Sequence, residues 1–125
     1  MLAVETAKAN GSIISFDPNI RMFLWQDEDM LRKMLNYGLS NCTVLKMSKD
    51  EAIYQSGICD PVAAMESILK NYPNISVAFL TLGEKGSMVF SGESKAYLWV
   101  SVFIPSVCLF CIQAAGGNNY FRLYY

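Results

Sequence analysis

Ile13-Ile14-Ser15-Phe16-Asp17-Pro18-Asn19-Ile20-Arg21 is the stretch on which the reading of this chain turns. Four mostly apolar residues make a short buried strand. Asp-Pro-Asn then ends it, because proline presets its own φ and Asp and Asn bond to nearby backbone. An amide and a guanidinium follow at once. In open α/β sheets ligands dock beside the carboxyl ends of strands, so polar residues at such an end are candidates for specificity. Thr81-Leu82-Gly83-Glu84-Lys85-Gly86 follows another β-rich run in the same manner. Two such ends separated by helical stretches point to an α/β protein that handles nucleotides or sugars.

Working outward, residues 1–10 read as a helix with Ala3, Val4 and Ala7 on one side and Gly11 as its stop. Ser12 to Phe16 is the strand. Between Asp27 and Asn36, Met30, Leu31, Met34 and Leu35 form one helical stripe, closed by Gly38. Leu24-Trp25 and the Met30/Met34 pair are expected in the core. Thr43 to Lys46 is strand-like, and Ser48 opens a helix to about Ser56. Asp60-Pro61 is a cap followed by proline at the first helical position, with Val62, Met65, Ile68 and Leu69 as the buried face up to Pro73. Ser76 to Leu82 and Ser87 to Phe90 are strands joined across Gly83 to Gly86. The order α-β-α-β-α-α-β-β favours a mainly parallel sheet with helices packed on it.

Composition narrows the function classes. At 125 residues there is one domain with room for a core. Hydrophobic residues reach 53% and charged ones 17%, against about 25% charged in ordinary soluble domains. A net charge of −1 leaves no basic footprint for nucleic acid. Histidine is absent, which removes imidazole bases and His metal sites. Residues 1–10 lack the apolar core of a secretory signal, so a reducing cytoplasm is expected and the N-x-S/T triplets at Asn10, Asn41 and Asn74 carry no glycan meaning. Cys108-Leu-Phe-Cys111 has the spacing of half a zinc site or a redox pair, but Cys42 and Cys59 supply no second pair, and ordinary apolar cysteines are expected. From Ala96 to Tyr125 Arg122 is the only charged side chain. Tyr97 to Ile112 is nearly all apolar yet interrupted by Pro105 and shorter than the about 20 residues of a span, so a membrane anchor is not expected.

Three segments together carry a family resemblance. Ile13 to Arg21 with Leu24-Trp25 resembles the central segment of ribokinase-like (PfkB-type) carbohydrate kinases, closest to the fructokinase and 2-keto-3-deoxygluconate kinase branches. Leu45-Lys46-Met47-Ser48-Lys49-Asp50-Glu51 resembles that family's next motif, a strand followed by Asn or Ser with a Glu three residues on. Thr81 to Gly86 is similar to its nucleotide-side motif. The resemblance covers residues 1 to about 95. It implies part of a three-layer α/β/α sandwich, and an activity that moves the γ-phosphoryl of ATP, with Mg²⁺, onto a sugar or sugar-acid hydroxyl.

Carried over residue by residue, the resemblance puts Asn19 and Arg21 beside the sugar and the incoming phosphoryl. It puts Ser48 and Glu51 near the phosphates and their metal, and Thr81, Gly83 and Gly86 on the nucleotide. Each has a plainer reading: a turn at Asp17-Pro18-Asn19, a Ser-x-x-Glu capping box at Ser48, a glycine-bearing hairpin loop at Gly83 to Gly86. Lys49, Asp50, Glu84 and Lys85 read as solvated loop charges. The family's signature Asp-Thr-Thr-Gly-Ala-Gly-Asp-Ala-Phe is met by Gln113-Ala114-Ala115-Gly116-Gly117-Asn118-Asn119-Tyr120-Phe121. Gly116 and Gly117 are then the remnant of the anion hole, and Asn119 stands where the catalytic Asp belongs. No residue is expected to ligate a metal directly.

Two departures make the chain a partial kinase, expected to be inactive as it stands. The family's N-terminal portion with its sugar-binding lid does not precede the Asp-Pro-Asn segment, and the catalytic carboxylate is a carboxamide. Residues 1–95 are read as the central and nucleotide-side part of the kinase domain, and 96–125 as a divergent apolar tail, for which a frameshifted ending is one explanation. The alternative is a noncatalytic remnant that holds nucleotide or pairs with an intact subunit through an exposed sheet edge.

Overall fold

A computed structural model describes residues 2–91. The expectations for 96–125, including Asn119, Gly116, Gly117 and the Cys108/Cys111 pair, fall outside those residues.

Helix α1 (Leu2–Ala9) ends at Gly11, whose φ of 66° suits the left-handed stop. Strand β1 (Ser15–Phe16) is shorter than the apolar run that announces it. A 3₁₀ turn over Met22–Leu24 leads to α2 (Glu28–Asn41), whose N-cap Asp27 accepts the N–H groups of Asp29 and Met30. Strand β2 (Val44–Ser48) runs straight into α3 (Lys49–Ser56), and α4 (Pro61–Asn71) starts on the Asp60 cap with proline at its head. Strand β3 (Val77–Thr81), a 3₁₀ turn over Gly83–Lys85 and β4 (Ser87–Ser91) complete the described chain. The sheet order is β1-β2-β3-β4. The first three strands are parallel and β4 is antiparallel to β3. The expected α/β class with a mainly parallel sheet is present.

One cluster of buried side chains holds these elements together. Leu45 and Met47 from β2, Ala78 and Leu80 from β3 and Met88 and Phe90 from β4 meet Leu39 of α2, Ala52 of α3 and Ala64, Met65 and Ile68 of α4. On each strand these positions alternate, so they share one sheet face. Phe79 and Val89, paired across the hairpin, are buried on the other. At about 25 cal/mol per Å² of apolar surface removed from water, each fully buried Leu or Met contributes about 1.5–3 kcal/mol.

Two packing expectations are corrected. Met30 (48% exposed) and Met34 (43%) flank the buried stripe, which runs Leu31, Leu35, Leu39 at four-residue steps. Leu24 (66%) and Trp25 (39%) also face outward. A stripe read from spacing is wide, and only the helix's rotation against the sheet decides which of its edges is covered. Gly38 does not close α2, which continues to Asn41. Its missing side chain admits the Phe16 ring: a Cβ there would lie 2.3 Å from the ring tip. The glycine serves a close approach of β1 to α2, which is why it sits mid-helix at a propensity cost of about 1 kcal/mol.

The two described cysteines differ sharply. Cys42 is buried and its thiol reaches the Leu39 carbonyl at 3.7 Å, while Cys59 is exposed. Burial pushes the Cys42 thiol from 9.0 up to about 11, against a smaller lowering from its backbone hydrogen bond. At pH 8, peptide-resolved mass spectrometry after iodoacetamide should show Cys59 alkylated first, and Cys42 only at the rate of opening; comparable rates would contradict this packing. The folded state holds the thiol proton more tightly than the unfolded chain. This contribution is therefore intact below about pH 9 and is lost as pH rises towards 11, by about 2–3 kcal/mol.

Candidate functional site

Parallel pairing of β1, β2 and β3 puts their carboxyl ends on one edge of the sheet. Asp17 follows Phe16 there, Ser48 is the last residue of β2, and Thr81 is its register partner at the end of β3. An open cleft of about 460 Å³ lies across these ends, lined among others by Asp17, Asn19, Lys46, Ser48, Glu51 and Thr81.

Each wall has a local cause. Ser48 caps α3: its hydroxyl accepts the Glu51 N–H at 3.3 Å, and the Glu51 carboxylate accepts the Ser48 N–H at 2.8 Å. The capping box read from the sequence is therefore formed. The other oxygen of the same carboxylate accepts the Ile20 N–H at 2.6 Å, tying the turn after β1 to the start of α3. The Lys46 ammonium on β2 meets the Asp17 carboxylate at 2.5 Å. Asn19 has a φ of 42°, in the left-handed region that Asn tolerates better than most residues. Tyr54 on α3 lines the cleft, donates to Glu28 at 3.2 Å and carries Arg32 over its ring at 4.8 Å, joining α2 to α3.

Of the residues singled out in the sequence, Asn19, Ser48, Glu51 and Thr81 line this cleft. Arg21 is exposed at the head of the 3₁₀ turn, outside the cleft lining. Gly83 and Gly86 flank the hairpin turn with φ of 64° and 91°, also outside the cleft lining. There the Leu82 N–H donates to the Gly86 carbonyl at 2.8 Å. Lys49 and Asp50 are exposed as expected, but they belong to the first turn of α3 rather than to a loop, and Asp50 lines the cleft. Lys46 was not anticipated. An ammonium in the middle of the apolar strand Val44-Leu45-Lys46-Met47 is the signal that pointed to it.

The charged lining is three carboxylates, Asp17, Asp50 and Glu51, against the Lys46 ammonium. Among the described residues no three Cys, Asp or Glu side chains group as a metal site, and no helix is long and apolar enough to cross a membrane.

The model of the pfkB family carbohydrate kinases matches residues 1–107. The chain belongs to the pfkB family. Among pfkB and related proteins it is 31% identical to the fructokinase of Escherichia coli over 120 residues, which cover 95% of this chain and 36% of that protein. Among solved structures, fructokinase from Vibrio cholerae O395 in its fructose-, ADP- and calcium-bound form superposes with a TM-score of 0.72 over 83% of this chain and 33% of that one, at 24% identity. A putative ribokinase II from Escherichia coli in complex with ATP and Mg²⁺ gives 0.66 over 84% and 33%, at 26% identity. The fold is thus the ribokinase-like α/β fold of the pfkB kinases. The chain spans about a third of the length of these relatives.

Proposed function

We propose that this chain carries the central and nucleotide-side part of an ATP-dependent carbohydrate kinase, with fructose or 2-keto-3-deoxygluconate as acceptor, and that it is inactive as it stands. The observation that carries the reading is the meeting of Asn19, Ser48, Glu51 and Thr81 in one cleft at the carboxyl ends of β1, β2 and β3, the position at which α/β sheets bind ligands. Asn19 and Arg21 attend the sugar, and a guanidinium suits the anionic phosphoryl. Ser48 and Glu51 stand by the phosphates. Thr81, Gly83 and Gly86 approach the nucleotide, and Gly116 and Gly117 are what remains of the anion hole.

The cleft fits a cation-loaded nucleotide better than a bare one. Three carboxylates against one ammonium repel a free triphosphate, and Mg²⁺, once bound, would offset the phosphate charge there. The ion keeps several waters and takes few protein ligands. Glu51 suits an outer place near it, since each of its oxygens already accepts a backbone N–H and retains a second lone pair.

Calorimetry tests this directly. Titration of the 125-residue chain with ATP and Mg²⁺ should release heat, and ATP in EDTA should bind at least tenfold more weakly. No heat in either titration overturns the nucleotide assignment. A reaction that uses ATP on a sugar belongs in the cytoplasm. The second reading is a noncatalytic, nucleotide-holding partner of an intact subunit. It is favoured by the free outer edge of β1 beside the exposed Ile13, among the described residues. Light scattering that stays monomeric with and without an intact fructokinase removes that reading.

A further inference from the structure

The turn from Asp17 to Arg21 is held more firmly than a turn requires. Asn19 sits at a φ of 42°, and backbone of this kind persists where its surroundings over-determine it. Two anchors flank it. On the N-terminal side the Asp17 carboxylate meets Lys46 in the middle of β2, in a half-exposed pair whose value is mainly geometric. On the C-terminal side the Ile20 N–H donates to Glu51, 31 positions away, at 2.6 Å. That bond is part-buried whereas the ion pair is exposed, so solvent and salt screen it less.

A capping box needs only the exchange between Ser48 and Glu51. The bond to Ile20 is additional, and it uses the carboxylate oxygen that the cap leaves over. We propose that Glu51 is a positioning residue: it bolts the turn after β1 to the first turn of α3 and so sets where Asn19 stands at the cleft. The bolt itself is independent of what the cleft binds; its value for substrate placement rests on the kinase reading above. It also separates two duties of one side chain. The hydroxyl of Ser48 can be removed without releasing Ile20, whereas removal of the carboxylate releases both strand ends at once.

Amide hydrogen exchange followed by NMR on the ¹⁵N-labelled 125-residue chain tests the bolt, because buried or bonded amides exchange through opening. The Ile20 amide should exchange about tenfold or more slower than its unstructured rate. Ser48→Ala, which deletes the cap acceptor, should leave that protection in place. Glu51→Ala should abolish it at Ile20, and Asn19 should shift with it. Glu51→Gln keeps one carbonyl acceptor and should retain protection at one of Ile20 and Ser48, not both. A purely structural capping role would move the Ser48 amide and leave Ile20 untouched. Where Glu51→Ala does not fold, Glu51→Leu, which fills the space but accepts from neither amide, gives the same discrimination. An Ile20 amide that exchanges freely in the parent chain, or one unchanged when the residue at 51 has no acceptor, overturns the bolt whatever calorimetry gives. Protection lost on Glu51 substitution in a chain that binds no nucleotide keeps the bolt and sinks the kinase reading instead.

Discussion

Leu80→Ala is expected to lower the unfolding free energy by about 2–5 kcal/mol. Leu80 is fully buried one residue before the end of β3, with Met47 of β2 and Met88 of β4 as its register partners. It belongs to the cluster that α3 and α4 cover through Ala52, Met65 and Ile68. Truncation there removes the transfer energy of the lost methyl groups and leaves a cavity that paired neighbours on both sides cannot close. Small domains hold only about 5–15 kcal/mol in total, so the variant should be largely unfolded in modest denaturant. Urea melts followed by circular dichroism would read this as a lower midpoint at unchanged slope. The control is Met34→Ala on the outer side of α2, expected within about 0.5 kcal/mol of the parent. A Leu80 loss below about 1 kcal/mol would mean that this core is not packed as described.

The second large effect concerns chemistry. Assayed beside the fructokinase of Escherichia coli, the 125-residue chain should transfer phosphoryl from ATP to fructose at a rate at least about 10²–10⁴-fold lower. Phosphoryl transfer asks a protein for positioning, charge stabilisation and acceptance of the hydroxyl proton. By resemblance Asn119 stands where the proton acceptor belongs. A carboxamide can orient the hydroxyl through its oxygen but cannot take the proton at neutral pH. The factor quoted is that of the base alone, so it is a lower bound on the deficit. A rate within tenfold of the relative's would overturn the inactive reading and show that proton transfer does not depend on that position.

The three polar turns were legible because each combines a strand end with residues whose turn chemistry is local: Asp17-Pro18-Asn19, Ser48 with Glu51, and Thr81 to Gly86. The capping box and the Asp60-Pro61 helix start follow from contacts at most three residues apart, which sequence order reports directly. The bonds that turn these pieces into a cleft span 29 positions from Asp17 to Lys46 and 31 from Ile20 to Glu51. Nothing local announces them. The same distinction explains the misplaced methionines and Gly38. Periodicity gives α2 an apolar side, but the Phe16 ring and the sheet decide its rotation and let it run on past the glycine. For the cleft itself, Lys46 shows that a lone charge inside an apolar strand deserved the weight given to the motifs around it.

The antiparallel return of β4 against β3 also bears on the order in which this molecule assembles. Partners from Val77 with Ser91 to Thr81 with Ser87 are joined by a short 3₁₀ turn, so little loop entropy opposes their meeting, and hairpins of this kind zip in about 1–10 μs. The parallel ladders must first bring together segments roughly thirty residues apart, as in Ser15 with Val44 and Val77 with Val44. On refolding, the hairpin is therefore expected to close as a seed, and the edge formed by the ends of the parallel strands to take shape late.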